Sequence, residues 1–62
     1  MRELKKFKLF RDVEGEDVFI KIQEGYDEND AENRYLKYLQ RGGYYSEYDI
    51  AEVRTEIWVE KA

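Results

Sequence analysis

Two segments of alternating apolar and polar residues, joined by a short glycine-containing turn, constrain the fold of this chain most strongly. The segments run from Leu4 to Val13 and from Val18 to Gln23. A period of two is the pattern of a β-strand with one buried face. The apolar row of the first segment contains Phe7, Leu9 and Val13, and that of the second contains Val18, Ile20 and Ile22.

The turn between these segments, Glu14-Gly15-Glu16-Asp17, predicts a tight β-hairpin. Glycine adopts a positive φ at little cost, so Gly15 at the first central position is compatible with a type II′ turn. The register set by that turn places Leu9 opposite Ile22, and both apolar rows then lie on one face of the sheet. We therefore expect the first two strands to share a buried face.

A helix is expected after the hairpin. Residues 27–30 include good N-caps, and their acids interact favourably with the helix dipole. The helix is expected to run to about Arg41, and Gly42-Gly43 ends it because glycine accepts the left-handed conformation of a C-terminal cap. Its apolar side contains Ala31, Tyr35, Leu36, Tyr38 and Leu39.

A third strand is expected in residues 50–60, after a polar and aromatic connection in residues 44–49. Its inward row contains Val53, Thr55, Ile57 and Val59, and its outward row contains Arg54, Glu56 and Trp58. A right-handed crossover through the helix makes the second and third strands parallel and places the first strand between them. The sequence therefore predicts a single α+β domain, residues 1–62, of β-β-α-β order. It has a three-stranded antiparallel sheet of order 2-1-3 with one helix packed on one face.

This arrangement leaves the other face of the sheet uncovered. Aromatic residues are expected there among cations: Phe10, Phe19 and Trp58 with Lys6, Lys8, Lys21 and Arg54. Such a patch would suit a protein partner or a homodimer, because aromatic residues dominate the binding energy of interfaces. Rings among cations also suit single-stranded nucleic acid, whose bases stack on the rings while the cations contact phosphates. A third interpretation is that the rings only pack against one another.

Three tyrosines close together form a second candidate binding region, made of Tyr44, Tyr45 and Tyr48. Tyrosine offers a large amphipathic contact area at low entropic cost, which is typical of a recognition loop. The alternative is that these rings cover the open end of the small core.

Cations recur along the exposed side of the helix, at Arg34, Lys37 and Arg41. Such a row can position phosphates without reading bases, and it is also an ordinary solvated helix face. The possible phosphate-binding residues are therefore Lys6, Lys8, Lys21, Arg34, Lys37 and Arg41.

The charges are unevenly distributed, although the formal net charge is only −4. Residues 12–32 contain nine acidic residues and one lysine, whereas residues 1–11 contain five basic residues and one acidic residue. The acidic segment keeps the protein soluble, or it imitates the charge of nucleic acid and blocks a basic groove. It does not match a calcium-binding loop, because Ala31 stands at a ligand position and Glu32 at the turn glycine.

The chain has no histidine and no cysteine, and Ser46 and Thr55 are its only hydroxyl residues besides tyrosine. A nucleophile needs an adjacent base, and one helix over three strands forms no dry cleft for carboxylate catalysis. We expect no enzymatic activity, no metal and no cofactor.

Location and function follow from the remaining features. No apolar segment is long enough for a signal sequence or a membrane helix, and the lack of cysteine is compatible with a reducing cytosol. We expect a cytoplasmic protein that does not contact membranes. The expected function is a non-catalytic protein-interaction module of the small regulator or inhibitor type, and single-stranded nucleic-acid binding is the alternative.

Overall fold

The computed structural model describes residues 3–62. The strands are β1 (Lys5–Val13), β2 (Glu16–Gly25) and β3 (Ile57–Lys61), and the helices are α1 (Glu28–Arg41) and α2 (Glu47–Glu56). The strands form one antiparallel sheet in the order β2-β1-β3. The α+β class and the strand order are confirmed, but residues 3–62 contain two helices rather than the single helix predicted.

The core lies between the helices and one face of the sheet. β1 contributes Leu9, which is fully buried, and β3 contributes Ile57. Tyr35 and Leu36 of α1 and Val53 of α2 complete the cluster. Because residues of both helices pack with Leu9 in one cluster, both helices lie on the same face of the sheet. No element within residues 3–62 covers the other face.

The hairpin turn begins one residue earlier than predicted. Val13 pairs with Glu16, so the central residues are Glu14 and Gly15, with φ values of 52° and 84°. Two positive φ values are typical of a type I′ turn rather than the predicted type II′ turn. Gly15 suits this conformation, whereas Glu14 adopts a backbone region that residues with a Cβ rarely occupy.

Replacing Glu14 with asparagine is expected to stabilise the domain, because asparagine tolerates the left-handed conformation better than glutamate. We expect the free energy of unfolding to rise by about 0.5–1 kcal/mol in urea titrations. Glu16→Asn, in the adjacent strand position, is the matched control and should not stabilise the protein. A Glu14→Asn variant no more stable than the parent would contradict the turn geometry.

A β-bulge interrupts the pairing of β1 with β2. Phe10 lies opposite Phe19, and the next pair is Leu9 with Lys21. Ile20 is therefore an extra residue in β2, and Leu9 does not face its predicted partner. The row of β2 that was expected to be buried is instead partly exposed: Val18, Ile20 and Ile22.

Helix α1 begins and ends as the sequence predicts. The Asp27 carboxylate accepts a hydrogen bond from the backbone N–H of Asp30 at 2.7 Å, which caps the first turn. At the other end, Gly43 has a φ of 78°, and its N–H donates to the Gln40 carbonyl at 3.2 Å. Gly43, the second glycine after the helix, therefore takes the left-handed conformation on which the prediction of the helix end was based.

The start of α1 lies very close to the end of β2. Gly25 is buried, and a Cβ at this position would lie 2.5 Å from the backbone nitrogen of Ala31 and 2.6 Å from its Cα. Ala31 is itself fully buried. The close approach therefore requires glycine in the strand, and it fixes where α1 crosses the sheet.

Residues 47–56 form a helix, so the predicted extended conformation from residue 50 to residue 56 is wrong. The Ser46 hydroxyl accepts a hydrogen bond from the Asp49 N–H at 3.3 Å, and the Asp49 carboxylate accepts one from the Ser46 N–H at 2.9 Å. This reciprocal pair is a capping box, which starts a helix. The apolar contacts have helical spacing, because the core contains Val53 and Ile57 and is joined by Ile50.

An ion pair joins the end of α2 to β1. Glu56 accepts hydrogen bonds from Nε of Arg11 at 3.0 Å and from Nη2 at 2.9 Å. Such a two-nitrogen contact fixes the orientation of both side chains. Glu56 was expected to project outward from a strand, and it instead links α2 to the helix-covered side of β1.

The capping box predicts a pH dependence of stability. Hydrogen bonds from Ser46 hold the pKa of the Asp49 carboxyl below its ordinary value. A carboxyl with a lowered pKa in the folded state contributes stability that is present above its unfolded pKa and is lost as pH falls through the folded pKa. Asp49→Asn should therefore lower the free energy of unfolding at neutral pH and have little effect at about pH 2. In urea titrations, an equal loss at both pH values would contradict this explanation.

Candidate interaction surface

The side of the sheet opposite the helices carries a row of three aromatic rings. Phe10 in the central strand lies opposite Phe19 of β2 and opposite Trp58 of β3. Directly opposite residues project from the same face of a sheet. We call this side the open face; it consists of the three rings and of the residues that project on their side of the strands. The predicted gathering of these rings on one face agrees with this pairing.

The rings contact one another closely. The Phe10 and Trp58 rings are stacked, with centroids 4.4 Å apart and planes 12° apart. Phe19 meets Phe10 edge to face at 5.8 Å. The indole N–H of Trp58 donates to the Asp17 carboxylate at 3.1 Å, which connects the two edge strands across β1. The row is therefore held in place by packing and by one hydrogen bond.

Contact between the rings does not remove them from solvent. Phe19 is 52% exposed and Trp58 is 37% exposed, and Ile22 beside them is 43% exposed. The rings do pack against one another, but a large part of their apolar surface stays in water. Exposed apolar clusters of this kind are typical of interaction sites.

Charged residues flank the aromatic row on both sides. Toward the hairpin turn, Asp12 lies opposite Asp17. In the other direction, Lys8 lies between Ile22 and Glu60, and the next residue on this side of β1 is Lys6, opposite Glu24. One side of the row is therefore acidic, and on the other side each lysine has a glutamate as its cross-strand neighbour.

Two of the cations predicted for the open face lie elsewhere. The bulge at Ile20 places Lys21 opposite Leu9, on the helix side, where its Nζ lies 5.2 Å from the centroid of the Tyr38 ring. Arg54 lies in α2, because that segment is helical rather than extended. Burial raises the pKa of Glu32 in α1, and the charge of Arg54 opposes that shift.

The three tyrosines predicted as a recognition loop do not act as one unit. Tyr44 is 91% exposed, and Tyr48 is 86% exposed in the first turn of α2, whereas Tyr45 packs against the core. The covering role is thus visible for Tyr45 only. Tyr44 and Tyr45 line a shallow groove of about 490 Å³ at the end of α1, together with Tyr38, Leu39, Arg41 and Gly42. This groove shares no residue with the aromatic row.

The cations of α1 share a groove with an acidic residue. Nε of Arg34 lies 2.8 Å from Oδ2 of Asp30, and the Arg34 guanidinium lies 5.2 Å from the centroid of the Tyr26 ring. Arg34, Lys37 and Arg41 line a shallow groove of about 420 Å³ that also includes Asp30. An anion within the groove opposes phosphate binding, so a phosphate-binding role for these cations stays a prediction.

Three acidic residues of the segment 12–32 have structural roles. Asp17 binds Trp58, Asp27 caps α1, and Asp30 accepts a hydrogen bond from the Tyr26 N–H at 2.8 Å. The imitation of nucleic acid stays a prediction. In the part of the chain from residue 3 onward, no group of three or more acidic side chains is arranged to hold a metal ion. No helix of that part is long and apolar enough to span a bilayer.

Asp17 and Ile22 lie beside the aromatic row and were not predicted as binding residues. Asp17 precedes Phe19 by two positions, so the alternating pattern could have placed it beside the rings. Ile22 lies on the open face because of the bulge, for which the pattern contains no signal.

Comparisons of the chain with protein families, with curated proteins and with solved structures find no match. Fold and surface together define a small α+β protein with one exposed aromatic sheet face.

Proposed function

We propose that this protein is a non-catalytic interaction module, of the small regulator or inhibitor type, that binds a protein through the open face. The observation that supports this most directly is the exposure of Phe19 and Trp58 on a sheet face that no element of residues 3–62 covers. Aromatic side chains gain most from leaving water at an interface, and a few clustered ones carry most of the binding free energy.

The order of the aromatic row also supports binding. Trp58 is stacked on Phe10 and hydrogen-bonded to Asp17 before any partner arrives. Association is weakened by the entropy lost when side chains become ordered at the interface. Rings that are already held in place lose less entropy, so more of their burial is available for binding.

The charges of the open face favour a protein over a single-stranded nucleic acid. Of the residues from position 3 onward, four acids and two lysines lie there: Asp12, Asp17, Glu24, Glu60, Lys6 and Lys8. Nucleic-acid affinity depends on cations that neutralise phosphates. A face with twice as many acids as lysines opposes this contact, although its rings would suit stacked bases.

Site-specific cross-linking tests the proposal. A photoreactive phenylalanine analogue at Phe19 should cross-link the protein to a protein partner, including a second copy, in the cells that express it. The matched control is the same analogue at Tyr38, an exposed aromatic position on α1. Cross-links from the Phe19 position alone would support the proposal. No products, or the same products from both positions, would contradict it.

Trp58 fluorescence tests the alternative. Titration with a single-stranded oligonucleotide at low salt should leave the emission of Trp58 unchanged if the open face binds protein. Saturable quenching that weakens with added salt would identify nucleic acid as the partner instead.

A further inference from the structure

The central strand of the open face has a charge pattern that is complementary to itself, while the edge strands add Asp17 beside Asp12 and Glu60 beside Lys8. The central strand displays Lys8, Phe10 and Asp12 in sequence on this face, and Phe10 is the middle residue of the aromatic row. Alternate residues of a strand are about 6.6 Å apart, so a cation and an anion lie at equal distances on either side of the ring. A surface with this pattern can pair with a copy of itself that runs in the opposite direction.

We propose that the open face binds a second copy of this chain, face to face, about a twofold axis that crosses the strands at Phe10. The proposal rests on the proposed function and names its partner. Rotation about this axis reverses the strand direction, so Asp12 of each copy faces Lys8 of the other. The aromatic rows meet at the centre, and two ion pairs flank them. This is an isologous contact, the usual form of a protein dimer.

A face-to-face dimer could also form about a twofold axis that runs parallel to the strands. The charge pattern favours the axis that crosses the strands. An axis parallel to the strands would place Asp12 against Asp12 and Lys8 against Lys8. Like charges facing each other across an interface are strongly unfavourable. The selected axis also permits the aligned packing of two twisted sheets that is usual in β-sandwiches.

The size of the open face sets the expected strength of the dimer. Three strands about 4.8 Å apart, paired over the five residues of β3, span roughly 14 Å by 17 Å, or about 240 Å² in projection. A standard interface buries about 800 Å² per partner. The dimer is therefore weak, and we expect its dissociation constant in the range of about 10–500 μM.

Reversal of the two charges provides the test. Lys8→Asp and Asp12→Lys each place like charges against each other at both flanks of the dimer. The double variant restores opposite charges, because each new residue faces the other across the axis. Lys37→Asp, on the exposed side of α1, is the matched control for a change of charge away from the open face.

Sedimentation equilibrium from about 10 μM to about 1 mM measures association of the five proteins. We expect each single reversal to raise the dissociation constant at least about tenfold, and the double variant to return to within about threefold of the parent. The control should match the parent. Urea titrations establish that each variant is folded. The double variant carries the same Lys8 change as the first single variant. Recovery of dimerisation in the double variant therefore excludes a folding defect as the cause of the loss.

Two results would overturn the homodimer. A parent protein that is monomeric at about 1 mM would do so, as would a double variant that associates no better than the single variants. If the parent is monomeric and Phe19 still cross-links to another protein in cells, the proposed function stands and only the second copy as partner is wrong. If Phe19 gives no specific cross-link at all, the proposed function fails as well.

Discussion

Replacement of Gly25 by alanine is expected to unfold much of the protein. The added Cβ would lie 2.5 Å and 2.6 Å from two backbone atoms of Ala31, and backbone cannot move aside as the end of a flexible side chain can. We expect a loss of about 3 kcal/mol or more in the free energy of unfolding, at the upper end of overpacking effects. A domain of this size has a stability of only about 3–5 kcal/mol, so the folded fraction should fall sharply. Urea titration followed by circular dichroism measures the change.

Gly42→Ala is the matched control for this substitution. Gly42 has a right-handed helical backbone, and a Cβ there would make only ordinary contacts, the nearest at 3.4 Å from the Leu39 carbonyl oxygen. The control should be within about 0.5 kcal/mol of the parent, or slightly more stable, because alanine restricts the unfolded chain. Similar stabilities for Gly25→Ala and Gly42→Ala would show that α1 does not approach β2 as closely as described.

Leu9→Ala is expected to have the second large effect. Leu9 is fully buried in the central strand, in a core that contains few other residues. Removal of a buried leucine side chain costs about 2–5 kcal/mol, and no spare core volume is available to compensate. Leu4→Ala, the same substitution at a half-exposed position before β1, should change the stability by about 0.5 kcal/mol or less. Equal losses in urea titrations of the two variants would contradict the placement of the core.

Local patterns were sufficient to predict part of the fold. Alternation identified β1 and β2, and the capping residues and glycines around α1 identified that helix and both of its ends. The strand order followed from a right-handed crossover that skips one position, and this inference does not depend on the register. These features were predictable because each follows from a short stretch of chain or from a general topological rule.

The register of the hairpin could not be predicted from the pattern. The predicted turn, with Gly15 as its first central residue, required no positive φ at a non-glycine residue. In the structure, Glu14 has a positive φ. The bulge at Ile20 then adds a second displacement, which depends on packing across the sheet rather than on the local residues. The bulge alone moves Lys21 to the helix side, because the change of turn shifts the pairing by two residues and keeps each side chain on its predicted face.

Helix α2 was missed because its sequence supports two periods. The alternating pattern of a strand is formed by Val53, Thr55, Ile57 and Val59. The spacing of a helix is formed by Ile50, Val53 and Ile57. The capping box formed by Ser46 and Asp49 was the signal that could have decided between them. Once the segment is helical, Arg54 leaves the sheet, and the predicted cation set of the open face loses a member. The common face of Phe10, Phe19 and Trp58 was still predicted correctly, because these residues lie in the parts of the strands that were assigned correctly.

The pairing of β1 with both of its neighbours has a consequence for the kinetics of folding. The contact of Phe10 with Phe19 closes a short hairpin loop, whereas Trp58 and Asp17 are 41 positions apart in the chain. Loop closure is entropically more costly for the longer separation, and long-range pairings slow folding. Trp58 emission in a stopped-flow experiment would therefore report on the slowest-closing part of the sheet, and the complete aromatic row would exist only after that closure.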